Sequence, residues 1–395
     1  MTAPMNPREI AVIGGGIAGS ALAALLAGAG RDVLLLEKDA FPRDKLCGEF
    51  LSAESSKLLD RVGCLQEVLA LGPARITQAR FFSASGRDAV LDLQGEALGL
   101  SRRSLDEALF GHAARRGACA RQRARVCRIE KIQDGSRLEV EWEDGGRTSV
   151  DARLVVAAYG RRSPLDARLA RPFLQEAAST LGLKRHHRPV DTESGRRLLR
   201  ELTGRVEIHL FEGGYCGLSL VEGGIVNVCL LLTNRLLRGL AVPRWDEVCA
   251  AVRGRSASLG GRLAALIPAE TGFHSVAGLG FSPKGTSLGE VLFVGDAAGM
   301  IAPLCGDGQA MALESAVLLA DAVKSLPRPV GEGDIAALSQ EWDRTWRKRF
   351  ADRLRLGRFL QFALLRAAAG ETAVRLISRV PRLGTALVRA TRSPA

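Results

Sequence analysis

A mixed α/β fold is predicted, with a parallel nucleotide-binding sheet, an inserted antiparallel sheet and a helical C-terminal tail. Three features of the sequence predict it. The first is Ile10 to Glu37, IAVIGGGIAGSALAALLAGAGRDVLLLE, which sets strand, glycine turn, helix and strand in succession. The second is Val206 to Leu232, where three strand-like runs are split by Gly213-Gly214 and Gly223-Gly224, both hairpin signals. The third is the stretch after Glu341, where Trp342, Trp346, Phe350 and Leu354 recur every fourth residue among arginines. With 395 residues, 47% of them apolar, the chain can bury a large core, divided into two domains.

Ile10 to Ile13 form a short apolar strand, and each glycine after it has a separate task. Gly14 permits the turn, Gly16 lets the backbone approach a pyrophosphate, and Gly19 lets helix and strand pack closely. Ile17 and Ala18 open the helix, whose amino terminus faces the negative phosphates. The helix ends at Gly28, and Val33 to Leu36 lead into Glu37, placed to hold a ribose hydroxyl, with Lys38 beside it. An acid there repels a phosphate on the ribose, so FAD or NAD is expected in preference to NADP.

Ser101 to Arg116 reads as a helix after a turn, in which Arg102 either neighbours the cofactor or pairs with Asp106 along the surface. Residues 121 to 158 read as a β-meander returning to the parallel sheet. Val206–Phe211, Tyr215–Val221 and Ile225–Leu232, joined by Ile76 to Leu93, give an antiparallel sheet, with a substrate cavity between it and the cofactor. The expected division is a discontinuous cofactor domain over 8–75, 95–170 and 275–335, a substrate domain over 76–94 and 171–274, and a tail over 336–395.

Val291 to Met311, VLFVGDAAGMIAPLCGDGQAM, resembles the second flavin motif of the superfamily that unites FAD-dependent aromatic hydroxylases, geranylgeranyl reductases and flavin halogenases. The resemblance implies that FAD is the cofactor, with Asp296 at the ribityl chain and Pro303, Gly306 and Gly308 beside the ring. Open amides at such a helix start stabilise negative charge on a reduced flavin. Phe41 to Ser52, FPRDKLCGEFLS, is similar to the segment that puts Arg43 near the nucleotide and Gly48 and Glu49 near the flavin. Lys45-x-Cys47-Gly48 is closest to the reductase version. Arg102-x-x-Leu105-Asp106 is similar to the flavin-contacting helix. In LVVAAYGRRS the chain departs from the hydroxylases: Tyr159 precedes Gly160 where they carry an acid, which puts direct use of NADPH or NADH in doubt.

The whole pattern is also similar to flavoproteins of bacterial type III polyketide clusters. It implies monooxygenation of a hydrophobic aromatic substrate by molecular oxygen, the cofactor supplying the chemistry and the protein excluding water. Cys47, Tyr215 and Cys305 are the candidate catalytic residues, each with a packing role as the alternative. Three other readings stay open: a double-bond reductase, a halogenase, for which the Trp-x-Trp-x-Ile-Pro motif is missing, and a flavin-binding carrier.

Eight cysteines without a CxxC pair indicate neither a zinc site nor a disulfide framework, and a reducing cytoplasm is expected. The opening MTAPMNPRE lacks a targeting pattern, and no apolar run is long enough to span a membrane. Of the net charge of +12, the stretch from Glu341 to Arg392 supplies thirteen Lys or Arg against four Asp or Glu. That basic amphipathic tail either packs on the cofactor domain or rests on an anionic membrane surface. Nucleic acid is not an expected partner, because no aromatic platform alternates with the charge.

Overall fold

The protein is described here by a computed structural model covering residues 5–175, 180–236, 244–281 and 283–392. Two sheets carry it. In the first, β1 (Arg8–Ile13) is central, with β2 (Val33–Leu36) and β9 (Arg147–Ala157) parallel on either side. β6 (Cys119–Arg121) lies beyond β2, while β17 (Val291–Phe293) and the edge strand β16 (Ser287–Leu288) lie beyond β9. β7 (Ala124–Ile132) and β8 (Gly135–Trp142) form the meander that runs antiparallel into β9. Ile10, Val12 and Leu34 to Leu36 are buried in a core shared with the helix residues Leu22, Leu26 and Leu313 and with Val126, Leu138 and Val140 of the meander.

The second sheet has the order β14 (Leu266–Pro268), β10 (Thr180–Pro189), β13 (Val226–Thr233), β12 (Gly214–Leu220), β11 (Gly204–Phe211), β4 (Ala74–Phe82), β5 (Asp88–Gly99) and β3 (Phe50–Leu51). A further strand, β15 (His274–Ala277), pairs with β10. Alternation divides its faces. Cys216, Leu218 and Leu220 of β12 join a core with Leu198, Leu202, Trp245 and Val248. Those partners come from α6 (Glu193–Leu202) and α7 (Trp245–Arg253), and α8 (Leu259–Ala264) adds Leu259 and Leu263. Tyr215 points the other way, into a separate cluster with Leu210, Leu231, Leu279, Met300 and Val374.

The remaining helices position the first sheet's turns. α1 (Ile17–Ala27) packs between α4 (Arg102–Arg115) and α9 (Gly308–Lys324), with α2 (Glu54–Val62) and α3 (Leu65–Ala70) around them, while the short α5 (Pro164–Arg168) packs on β7. The tail is α10 (Glu332–Leu364), α11 (Ala367–Arg379) and α12 (Pro381–Ala390). The fourfold aromatic repeat of α10 turns inward: Trp342, Trp346 and Phe350 are buried, and Trp342 Nε1 donates to Phe293 O at 3.0 Å. The basic run Lys184 to Arg188 reads in sequence as a loop, yet His186 and His187 within it lie on β10, because the apolar run Leu181 to Leu183 begins a strand that pairs with β13 through both histidines.

Candidate functional site

The glycine turn after β1 is fixed by contact. Gly14 has φ +108°, and a Cβ there would lie 2.6 Å from Ala158 O; one on Gly19 would lie 1.9 Å from Gly14 O. Gly16 differs, since its nearest neighbour would be Arg102 Nη2 at 3.7 Å. Space is therefore held open above Gly16 while the rest of the turn is closed. Ile17 and Ala18 begin α1 with their side chains in the core. Glu37 is buried, and its Oε2 accepts from Gly15 N at 2.7 Å, locking acid and turn together.

A cleft of about 1040 Å³ opens over this turn, lined by Gly14, Gly16, Glu37, Lys38, Arg43, Lys45, Tyr159, Arg161 and Arg162 among others. It is cationic. Arg43 reaches Asp106 at 3.1 Å and Glu37 at 3.5 Å, and Arg102 grips Asp106 through two bonds of 2.7 Å. The Arg102–Asp106 pair thus forms as the helical spacing allows, yet it is buried rather than at the surface. Burial, with Arg102 and Arg43 close by, holds Lys45 below its usual value; burial and Arg162 do the same to Arg161. A cleft that disfavours its own cations gains by admitting an anion. Gly160, at φ +85°, leaves room for Lys45 Nζ, which would stand 3.1 Å from a Cβ.

The second motif meets the first directly. Gly295, at φ +61°, would bring a Cβ within 2.9 Å of Ala18 Cβ, so the turn carrying Asp296 rests on the start of α1. Lys284 Nζ donates to Asp296 O at 2.7 Å and to Arg161 O at 2.6 Å; burial brings it down to about 8. Arg171, buried over the Phe293 ring at 3.6 Å, donates to Ala297 O and to Asp166 Oδ1. Asp166 accepts from the Tyr159 hydroxyl at 2.6 Å. The departure at Tyr159 therefore comes with a buried acid seven residues further along. Burial and Asp166 push the Tyr159 hydroxyl well above the phenol range, leaving it a hydrogen-bond donor.

Pro303 opens a short turn, Gly306 takes φ +62° against Phe50, and Gly308 begins α9. Asp307 is buried between them, paired with Arg353 and with Arg392 at 3.0 Å, and accepts from Ser52 Oγ at 3.2 Å. Two tail arginines thus hold this loop.

Between the sheets, Glu49 is fully buried in the left-handed region at φ +54°, a strained placement for a side-chain-bearing residue. Its carboxylate accepts from Lys184 Nζ at 2.5 Å and Arg102 N at 2.9 Å, and lies 2.6 Å from His186 Nε2. Gly48, exposed, precedes it. Cys47 Sγ accepts from Gln309 Nε2 at 3.3 Å, linking the first motif region to α9. Cys305 Sγ packs at Gly357, where a Cβ would stand 3.0 Å away, and burial pushes the thiol up to about 12. Both cysteines are free. Tyr215 is buried in the apolar cluster, and its hydroxyl has no hydrogen-bond partner among the described residues.

Residues 8–194 match the FAD binding domain family. Over 91% of this chain and 85% of its own length, menaquinone reductase of Mycolicibacterium smegmatis is 28% identical. Digeranylgeranylglycerophospholipid reductase 1 of Methanothermobacter thermautotrophicus is 28% identical over 88% of this chain and 84% of its own. In sequence the chain is thus similar to FAD-dependent proteins that include menaquinone and geranylgeranyl-lipid reductases. Among solved structures, the myxobacterial chondrochloren halogenase CndH shares the fold, with TM-score 0.76 and 20% identity over 98% of this chain and 97% of that one.

The match to an FAD binding domain agrees with the site, whose residues fit FAD. The open face of Gly16 and the cations Lys45 and Arg161 suit a diphosphate, and Glu37 suits a ribose. Asp296 is brought near Lys45 and Arg102, so the two distant motifs converge on one cleft. Lys184, His186, Arg171, Lys284 and Asp166 were missed by sequence reasoning. Lys184, His186 and Lys284 act through partners distant in sequence, and Arg171 through buried backbone carbonyls as well, so no local pattern marks them; Asp166 did carry a local signal, the Ser163-x-x-Asp166 capping box.

Proposed function

We propose that this FAD-dependent oxidoreductase reduces a carbon–carbon double bond of a hydrophobic, prenyl-bearing lipid. The observation that carries the reading is the apolar cluster of Leu210, Tyr215, Leu231, Leu279 and Met300, with Leu46 and Leu304 at its margin. Leu46 adjoins Cys47 and Leu304 adjoins Cys305, so an apolar chain lying in this cluster is delivered to the flank of the 303–308 loop. Two relatives that match over most of their length are named as reductases of such lipids, which supports the same choice.

FAD supplies the redox chemistry when bound. The protein's part is to bind and orient: the cluster excludes water, and the buried Glu49 node holds the segment carrying Cys47 against β10. Hydroxylation of a phenolic lipid is the second reading, favoured by the unpartnered Tyr215 hydroxyl, which suits a substrate hydroxyl.

The test uses FAD-loaded protein under anaerobic conditions, with NADPH, NADH or dithionite as reductant, and either menaquinone or a long-chain resorcinol. A menaquinone product that stays heavier by two hydrogens after its ring is reoxidised with ferricyanide, so that the gain lies in the prenyl side chain, and that forms without oxygen, is the expected outcome. A resorcinol product heavier by one oxygen, formed only after air is admitted, would replace the reductase reading with the hydroxylase one. Reduction by dithionite alone would place the physiological reductant outside the nicotinamides.

A further inference from the structure

The tail shows two different surfaces. Its inner one is the buried stripe of Trp342, Trp346 and Phe350, continued by Gly357 and Gln361. Its outer one is apolar where water should prefer polar groups. Phe359 is 69% exposed and Phe362 76%, while Leu376, Val380, Leu383 and Leu387 are exposed on α11 and α12. These four follow one another at helical spacing, through the bend at Val380. Other exposed large apolar residues, such as Leu71, Val90 and Ile267, are scattered singly, which is ordinary for a protein surface.

The charge on the same stretch has one sign. Beyond Asp352, Glu371 is the only acid before the chain ends. It pairs with Arg87 and Ser85. Among the described residues no carboxylate lies within ion-pair distance of Arg358, Arg366, Arg375, Arg379 or Arg382. Arginines interleaved with exposed phenylalanine and leucine match an interface where anionic headgroups overlie acyl chains. No helix among the described residues is long and apolar enough to cross a membrane, so the geometry is that of a surface lying in the headgroup plane.

We propose that the outer surface of α10 to α12, from Arg355 to Arg389, docks on a bilayer containing anionic phospholipids, with Phe359 and Phe362 inserted among the acyl chains. A second copy of the chain is the poorer occupant, since a twofold pairing would set these arginines against their own equivalents. A nucleic acid would leave the aliphatic residues unused, because Leu376, Val380, Leu383 and Leu387 offer no flat face to a base. The inner side of α11 carries Val374 and Ile377 into the Tyr215 cluster, so the docked surface lies over that apolar cluster.

The test is co-sedimentation of FAD-loaded protein with vesicles of phosphatidylcholine alone or mixed with phosphatidylglycerol. Binding to the anionic vesicles should be at least about tenfold stronger, and should weaken with salt. The double variant Phe359→Ser, Phe362→Ser should lose about tenfold in vesicle binding while its bound FAD and melting temperature stay unchanged, both side chains being exposed. The triple variant Arg375→Gln, Arg379→Gln, Arg382→Gln should lose the preference for anionic lipid. Equal binding to both vesicle types, or anionic binding that the double variant retains, overturns the proposal. So does a dimer in sedimentation velocity that the double variant dissociates, which would make this face a self-interface.

Discussion

Gly16 and Gly19 lie in one turn and do different work. A methyl at position 16 meets only the far end of Arg102, whereas one at position 19 strikes the Gly14 carbonyl. Gly16→Ala should therefore fold with little loss of stability yet weaken FAD binding at least about tenfold, or about 1.4 kcal/mol, by blocking close approach of the diphosphate. Gly19→Ala should instead cost roughly 3 kcal/mol of stability in the apoprotein. Chemical denaturation beside an FAD titration separates the two; equal losses in both assays would refute the division. His187 bears on acid stability. Burial lowers it from 6.5 to about 4, so its neutral form is the folded one. Its contribution is complete above pH 6.5, shrinks as pH falls, and is gone near pH 4, a change of about 3 kcal/mol at most. His209, lowered by burial, adds in the same direction. The stability of His187→Gln should fall less steeply than wild type across that window in urea titrations. At this scale the sequence is readable wherever the constraint is local, as with Gly14, Gly19 and Glu37. It is silent at Lys184, whose place beside Glu49 exists only once β10 has crossed to the segment carrying Cys47.

α10 gives the same lesson at the scale of the element. Its fourfold aromatic repeat predicts a helix and an apolar stripe, and leaves open what the stripe covers. The structure answers with β17 and the 303–308 loop, and it also divides the arginines. Arg349 and Arg353 turn to Glu314 of α9, and Arg353 reaches Asp307. Arg353 is buried and Arg349 half-buried, whereas Arg355 is exposed and the half-buried Arg358 has no carboxylate within ion-pair distance among the described residues. Arg353→Met should cost about 3 kcal/mol, because it leaves buried carboxylates with fewer cations. The matching loss at Arg358→Met should be under about 0.5 kcal/mol. Thermal denaturation of both variants checks the contrast. Helical periodicity sorts apolar from polar, and it cannot sort one arginine from another when the partner carboxylates belong to a different helix. The β-meander and the glycine hairpins were legible for the opposite reason, since each strand there pairs with its neighbour in sequence.

On the scale of the whole molecule, FAD is expected to act as a clamp. The cleft draws residues from Gly14 to Leu169, and the second motif rests on α1 through Gly295 and Ala18. FAD at a hundredfold over its dissociation constant should therefore raise stability by about 2.7 kcal/mol. A scan showing no FAD-dependent rise in melting temperature would refute this. The tail arginine Arg392 carries the effect further. It donates to Gly306 O at 2.9 Å and pairs with Asp307, so the end of α12 and the start of α9 share one guanidinium. Linkage is reciprocal. A ligand that quiets the loop must quiet α12 by the same free energy, and amide hydrogens of Arg382 to Ala390 should exchange more slowly in holoprotein than in apoprotein. Arg392→Gln should uncouple the two, leaving tail exchange rates blind to what the cleft contains.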